Sequence, residues 1–191
     1  MHDGQINTVL SMPVYAEDGR AAVSQGVEYP RQLPYGLFMS FPIEKYTAIG
    51  PFVDDYFDRL TGAAASVGKC ELQRAANLLN QTYAAGRTVF ACGNGGSAAI
   101  SNHLHCDYLK GVQTNTGLKP KVISLSATVE TITAIANDIS YDEIYVYQLR
   151  TLAESGDTLI TISSSGDSEN IVRTVAWAKE NDVSTIAMTG F

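Results

Sequence analysis

The run "TVFACGNGGSAAISNHLHCD", Thr88 to Asp107, decides the fold of this chain. Its first five residues, Thr88–Cys92, have the short, apolar, β-prone composition of a strand buried on both faces. A glycine turn follows at once, and from Ser97 to about Leu109 the pattern becomes helical. A strand, a tight glycine turn and a helix in immediate succession open a βα unit, whose ligands bind beyond the carboxyl end of the strand. The residues in and after the turn are compatible with a nucleotide loop, a metal site or a sugar-phosphate pocket.

The same alternation continues downstream. Strands are expected at Lys121–Leu125, Thr158–Ile162 and Ser184–Met188, with a helix from Thr128 and another over "SENIVRTVAWAKEN". Ser140 and Glu143 have the spacing of a capping box, which predicts a helix from there to about Glu154, ended by Gly156. Short apolar strands between helices predict an α/β fold: a three-layer αβα sandwich around a doubly wound parallel sheet. Upstream, "GPFVDDYFDRL" sets Phe52, Val53, Tyr56, Phe57 and Leu60 on one helical stripe. A second helix, about Glu71 to Ala84, carries Leu72, Ala75, Ala76, Leu79 and Tyr83, and Gly86 stops it. Both helices precede the first of these strands, which leaves them available to pack on a neighbouring subunit.

Residues 1–45 read differently. Four of the six prolines (Pro13, Pro30, Pro34, Pro42) fall there and no helical or strand period persists, so a loosely ordered extension is expected before a domain spanning 46–191. At the other end the chain stops at "TGF" just after a strand, with no closing helix, which suggests a domain that is incomplete at its C-terminus.

Composition narrows the function classes. At 191 residues and 45% hydrophobic, the chain suits one domain with a substantial core. Its net charge of -7 and pI near 4.8 argue against nucleic acid, since there is no basic stripe to displace counterions. Small anions remain open as ligands, because backbone N–H groups and helix N-termini hold them whatever the net charge. No stretch approaches the roughly 20 apolar residues of a membrane span. The N-terminus lacks the basic start and apolar run of a secretory signal. Three cysteines (Cys70, Cys92, Cys106), odd in number and without C-x-x-C spacing, point to a reducing cytoplasm.

Two readings of the opening run are weak. Gly93, Gly95 and Ala98 fit the dinucleotide fingerprint G-x-G-x-x-A, but the second strand ends at Ser126 without the carboxylate that holds a ribose. As a metal cluster, His103 and Asp107 share a helical face and Cys106 is three residues from His103. Two aligned ligands fall short of the three that catalytic zinc takes. Cys106 is read as a small buried residue and His105 as a surface histidine. A second turn, "SSSGDS" (Ser163–Ser168), follows a strand and opens a helix. Its hydroxyls, glycine and free helix N–H groups are the neutral donors that a phosphate monoester needs. Two such turns at neighbouring strand ends favour a phosphate-bearing ligand.

The blocks "GNGGSA…H…D", "TAIANDISYDEIY", "GDTLITISSSGDSENIV" and "TIAMTG", in this order and spacing, resemble the sugar isomerase (SIS) domain family. Within it they look most like the phosphoheptose isomerases, which interconvert sedoheptulose 7-phosphate and D-glycero-D-manno-heptose 7-phosphate. The likeness runs from about Phe52 to the C-terminus. It implies a flavodoxin-like SIS fold and an aldose–ketose isomerase of carbohydrate-derivative biosynthesis, cytoplasmic and homo-oligomeric (dimer or tetramer), with a sugar phosphate as partner and neither nucleic acid nor membrane. It further implies that Asn94, Gly95, Gly96 and Ser97 line the sugar pocket, that Asn137 and Asp138 contact substrate, and that Ser163, Ser164, Ser165 and Ser168 bind the phosphate. By the same resemblance His103 is a Zn2+ ligand, and Asp107 stands where the family has a glutamate that serves as metal ligand and catalytic base.

This chain departs from the family at several points. Asp107 is one methylene shorter than that glutamate, which withdraws the carboxylate by about 1.5 Å. Asp167 replaces an asparagine in the serine turn, adding a negative charge near the phosphate unless it caps the helix. The family's remaining zinc ligands, a glutamine and a histidine acting as general acid, lie on a last helix that would follow Phe191, so they cannot be assigned to residues of this sequence. Some proteins resembling this domain are non-catalytic phosphosugar-binding or regulatory modules, which is the alternative to an isomerase.

Overall fold

The computed structural model of the chain describes residues 7–11, 42 and 45–190. The chain divides into two compact units, Met12–Val67 and Met1–Ser11 with Gly68–Phe191. The extension expected over residues 1–45 lies outside the described residues apart from the short stretches just given. One of these is a strand, β1 (Asn7–Ser11), in a segment where no strand period was read.

In the smaller unit the expected stripe lies on α1 (Ile49–Ser66), and none of its residues is buried. Phe52 stacks on Tyr56 at 6.4 Å, and Tyr56 meets Phe57 edge-on at 5.6 Å. Val53, Tyr56, Phe57 and Leu60 remain exposed.

The larger unit alternates strand and helix as expected. Its elements in chain order are α2 (Lys69–Ala84), β2 (Thr88–Gly93), α3 (Gly96–Cys106), β3 (Lys121–Ser124), α4 (Val129–Asp138), α5 (Val146–Leu152), β4 (Thr158–Ser163), α6 (Glu169–Glu180) and β5 (Ser184–Thr189). All strand pairs are parallel, in the order β1-β5-β4-β2-β3. From the β3 edge inward, the strands joined by helices run second, first, third, fourth, as in flavodoxin-like sheets. β1 occupies the outer edge beside β5, with Asn7 opposite Thr185 and Ser11 opposite Thr189.

Residue alternation on the strands sorts the core into two layers. Phe90, Cys92 and Leu159 face a cluster with Ile135, Ile144, Leu149 and Ile171 from α4 to α6. Val89, Ala91, Ile160, Ile162 and Ile186 cluster with Ala75 and Leu78 of α2, and Leu104 of α3 and Tyr108 just after it pack against them. Apolar residues on both faces of β2 and β4 produce the continuous apolar runs read in the sequence. At the amino ends of these strands the buried Asp157 carboxylate accepts the N–H of Thr88 at 2.8 Å and that of Glu154 at 2.9 Å.

Local geometry differs from expectation in three helices. The buried face of α2 is Ala75, Leu78 and Thr82, one step round from the expected stripe, and it leaves Leu72 exposed. Thr82 belongs there because its hydroxyl meets that of Thr158 at 2.7 Å, a pairing that a purely apolar pattern does not register. The Ser140–Glu143 capping box does not form. Glu143 instead takes Arg150 at 2.9 Å and Arg173 at 3.1 Å, so a 3₁₀ turn at Tyr141–Glu143 precedes a shorter α5. The helix after the glycine turn is α-helical to Cys106 and continues as a π-helix over Asp107–Val112.

The connection that positions everything else is Gly93, at the buried end of β2. A Cβ there would lie 2.7 Å from the Ile162 carbonyl oxygen and 2.7 Å from Ser97 Cβ. The two central strands and the start of α3 close on one another only because this residue has no side chain. Gly93→Ala is expected to cost at least about 1–3 kcal/mol, read as a lower urea midpoint at unchanged slope. Gly96→Ala, where an added Cβ meets nothing within 4 Å, is expected to leave the midpoint nearly unmoved.

Candidate active site

β2 and β4 lie side by side, yet α3 leaves one toward the α2 face and α6 leaves the other toward the α4–α5 face. Such a divergence opens a crevice beyond the carboxyl ends of the two strands, the place where open α/β sheets bind ligands. A cavity of about 240 Å³ occupies it. Asn94 and Ser97 line one side, and Ile162 to Ser165 with Ser168 line the other.

The serine side is built as a nest of donors. Ser163 is buried at the end of β4, and its hydroxyl accepts the Gly166 N–H at 3.2 Å. Gly166 has φ of +73°, which lets the chain reverse over the cavity. The end of β5 buttresses the turn, since the Gly190 N–H donates to the Ser164 carbonyl at 3.0 Å. Ser168 is the N-cap residue of α6, but its hydroxyl makes no cap hydrogen bond. Asp167 is exposed and is not the N-cap residue. The first N–H groups of α6 have no partners within the helix and carry the positive end of its dipole, so the turn is suited to a phosphate.

The other side hangs on Asn94. Its Oδ1 accepts Asn170 Nδ2 at 2.9 Å and the Tyr141 hydroxyl at 3.2 Å, while its own Nδ2 donates to Asn170 Oδ1 at 2.9 Å. The buried Tyr145 hydroxyl, 3.2 Å from Asn94 Oδ1, donates its one proton to the Gly93 carbonyl at 2.5 Å, and Ser126 donates to the same carbonyl at 3.1 Å. Burial pushes the Tyr145 phenol up to about 12, with a neighbouring hydrogen bond from Ser126 acting the other way. Tyr145 therefore stays a donor through the physiological range. Gly95 has φ of +54°, and Gly95 and Gly96 are exposed at the mouth of the turn, outside the cavity lining.

His103 and Asp107 meet on one helical face as expected, Nε2 to Oδ2 3.4 Å, with side chains 72% and 60% exposed. Neither lines the cavity. Asn137 and Asp138 close α4, bonded to each other at 2.8 Å, exposed and also outside the lining. Two expectations about neighbours are corrected. Cys106 is exposed rather than buried. His105 is half-buried, with Nδ1 2.5 Å from the Val122 carbonyl. The reason is that α3 turns the His105 side toward β3, which leaves the Cys106 side in solvent. Asn170, Tyr141 and Tyr145 were not singled out from the sequence. Asn170 had one legible signal, an amide at the start of a helix directly after the serine turn.

The profile of the SIS domain matches residues 55–190. The chain belongs to the SIS domain family. Among curated relatives it is 38% identical to a phosphoheptose isomerase of Colwellia psychrerythraea over 129 residues, 68% of this chain and 65% of that one. It is 40% identical to the phosphoheptose isomerase of Shewanella denitrificans over 119 residues, 62% of this chain and 60% of that one. The chain thus spans less than two thirds of the length of these relatives. Among solved structures it resembles a phosphoheptose isomerase from Neisseria gonorrhoeae with a TM-score of 0.67 at 31% identity, covering 75% of this chain and 76% of that one. A phosphoheptose isomerase from Francisella tularensis gives 0.66 at 30% identity, covering 76% of each. This SIS domain is therefore most like those of phosphoheptose isomerases, and the nucleotide-binding reading of its glycine turn falls away.

The folded Tyr145 phenol sits above its unfolded value of 10, so its contribution to stability is complete below pH 10 and lost as pH rises through about 12. Tyr145→Phe is expected to lower stability by about 0.5–1.5 kcal/mol at neutral pH through the lost hydrogen bond to the Gly93 carbonyl, which keeps Ser126 as a donor. The gap from the parent protein should shrink above pH 10. Urea midpoints of both proteins across that range check it.

Proposed function

We propose that this SIS domain serves a phosphosugar aldose–ketose isomerase acting on sedoheptulose 7-phosphate to give D-glycero-D-manno-heptose 7-phosphate. The observation that carries the reading is the cavity at the switch point, walled by four serines and the N-terminus of α6 on one side and by the β2–α3 turn on the other. Ser163, Ser164, Ser165 and Ser168 take the phosphate, and Asn94 to Ser97 face the sugar. Asn137 and Asp138 contact the opened chain. The domain is taken to run over residues 46–191, with residues 1–45 as an extension.

Isomerisation moves one proton between carbons and one between oxygens. A base removes the proton from the carbon bearing the hydroxyl beside the carbonyl while the carbonyl oxygen takes one up, giving a cis-enediol. The base then returns its proton to the former carbonyl carbon as the original hydroxyl releases its own and becomes the new carbonyl. Asp107 is assigned as that base, with His103 holding its carboxylate from one helical turn away. Zinc is a cofactor that His103 and Asp107 would share. Two donors do not satisfy it, and no group of three candidate ligands stands among the described residues. The proton transfer is therefore assigned to the carboxylate alone. Homo-oligomerisation and a cytoplasmic location complete the reading. No helix among the described residues is long and apolar enough to cross a membrane.

A second reading, a non-catalytic phosphosugar-binding module, is favoured by one observation: the phosphate turn is complete while His103 and Asp107 stand exposed and outside the cavity lining. Turnover separates the two. Asp107→Asn is expected to lower kcat on sedoheptulose 7-phosphate by about 100- to 10,000-fold while keeping binding. Stabilisation of the parent protein by the sugar phosphate, about 2.7 kcal/mol at a hundredfold excess over Kd, without any turnover would establish the module instead.

A further inference from the structure

We propose that Asn170 is a positioning residue that couples the two halves of the site, and that its partner Asn94 meets the sugar as a hydrogen-bond donor only. The proposal rests on the isomerase reading above and deepens it. Asn170 is 2% exposed at the start of α6, in the first turn of the helix that the serine loop opens. Its amide and that of Asn94 face each other head to tail, each donating to the other at 2.9 Å across 76 residues of sequence. This is the one direct side-chain hydrogen-bond link between the β2–α3 turn and α6 among the described residues.

The clasp uses up the chemistry of Asn94. An amide oxygen has two lone-pair directions, and Asn94 Oδ1 already receives Asn170 and Tyr141. One of its two N–H groups is committed to Asn170. What remains for a ligand is the second N–H, which suits a hydroxyl or carbonyl oxygen of the sugar. Asn170 itself, buried behind Asn94 and outside the cavity lining, offers the ligand nothing directly. Its effect is to fix how far the sugar turn stands from the phosphate turn, so that one ligand spans both.

Inorganic phosphate needs only the serine turn, whereas sedoheptulose 7-phosphate needs both turns at the right separation. Calorimetric titration of the full chain with each probe, for the parent protein, Asn170→Ala and Asn170→Asp, tests the coupling. In Asn170→Ala the phosphate Kd should stay within about threefold while the sugar-phosphate Kd and kcat worsen by about tenfold or more. Asn170→Asp sets a carboxylate oxygen against Asn94 Oδ1 and should show the same loss at about pH 8. A protonated carboxyl reproduces the amide's donor and acceptor, so its sugar-phosphate affinity should recover toward the parent's as pH falls to about 5. This comparison also serves if Asn170→Ala does not fold. Equal weakening toward both probes, no weakening at all, or no recovery at low pH would overturn the clasp. If the parent protein bound phosphate but not the sugar phosphate, the isomerase reading itself would fail, and the proposal with it.

Discussion

At Gly93 three backbones converge more closely than any side chain allows. β2 ends there, the Ile162 carbonyl of β4 presses from one side, and α3 begins at the other. This close approach sets the distance between the β2 and β4 strand ends, hence the width of the crevice between their turns. The Gly93 carbonyl collects the Tyr145 and Ser126 hydroxyls, which tie the turn to the start of α5 and to the loop after β3. Ser126 stands where a dinucleotide enzyme would carry its ribose-binding carboxylate. Here the same position braces the turn.

From that constraint the site follows with few additional parts. The serine turn relies on Gly166 to reverse and on Gly190 at the end of β5 to hold the Ser164 carbonyl. It offers neutral donors and a helix dipole, so a net charge of -7 does not oppose the proposed phosphate ligand. The exposed ion pair of Arg173 with Glu169 contributes little to stability.

The sheet was legible because buried parallel strands leave continuous apolar runs, and all four strands of the repeating unit fall within a residue or two of expectation. Both turns that line the crevice were legible for the same reason, as small polar residues placed at strand ends. The parts that were missed depend on long-range partners. Thr82 is buried because of Thr158, and Glu143 abandons its capping box for Arg150 and Arg173. The Asn94–Asn170 pair joins residues far apart in the chain, so no local pattern announces it. Cys106 and His105 exchanged roles because the rotation of α3 against β3 is a packing outcome that helical spacing alone leaves open. β1 joins the sheet from a segment without strand periodicity, where pairing with β5 outweighs local propensity.

The central claim is that the crevice between β2 and β4 is where a phosphorylated sugar binds. Backbone amide chemical shifts followed by NMR during titration with sedoheptulose 7-phosphate test it most directly. The largest changes should fall on residues 94–97 and 163–171, with the 163–171 set alone responding to inorganic phosphate. Shifts concentrated elsewhere, with both turns silent at saturation, would contradict the account.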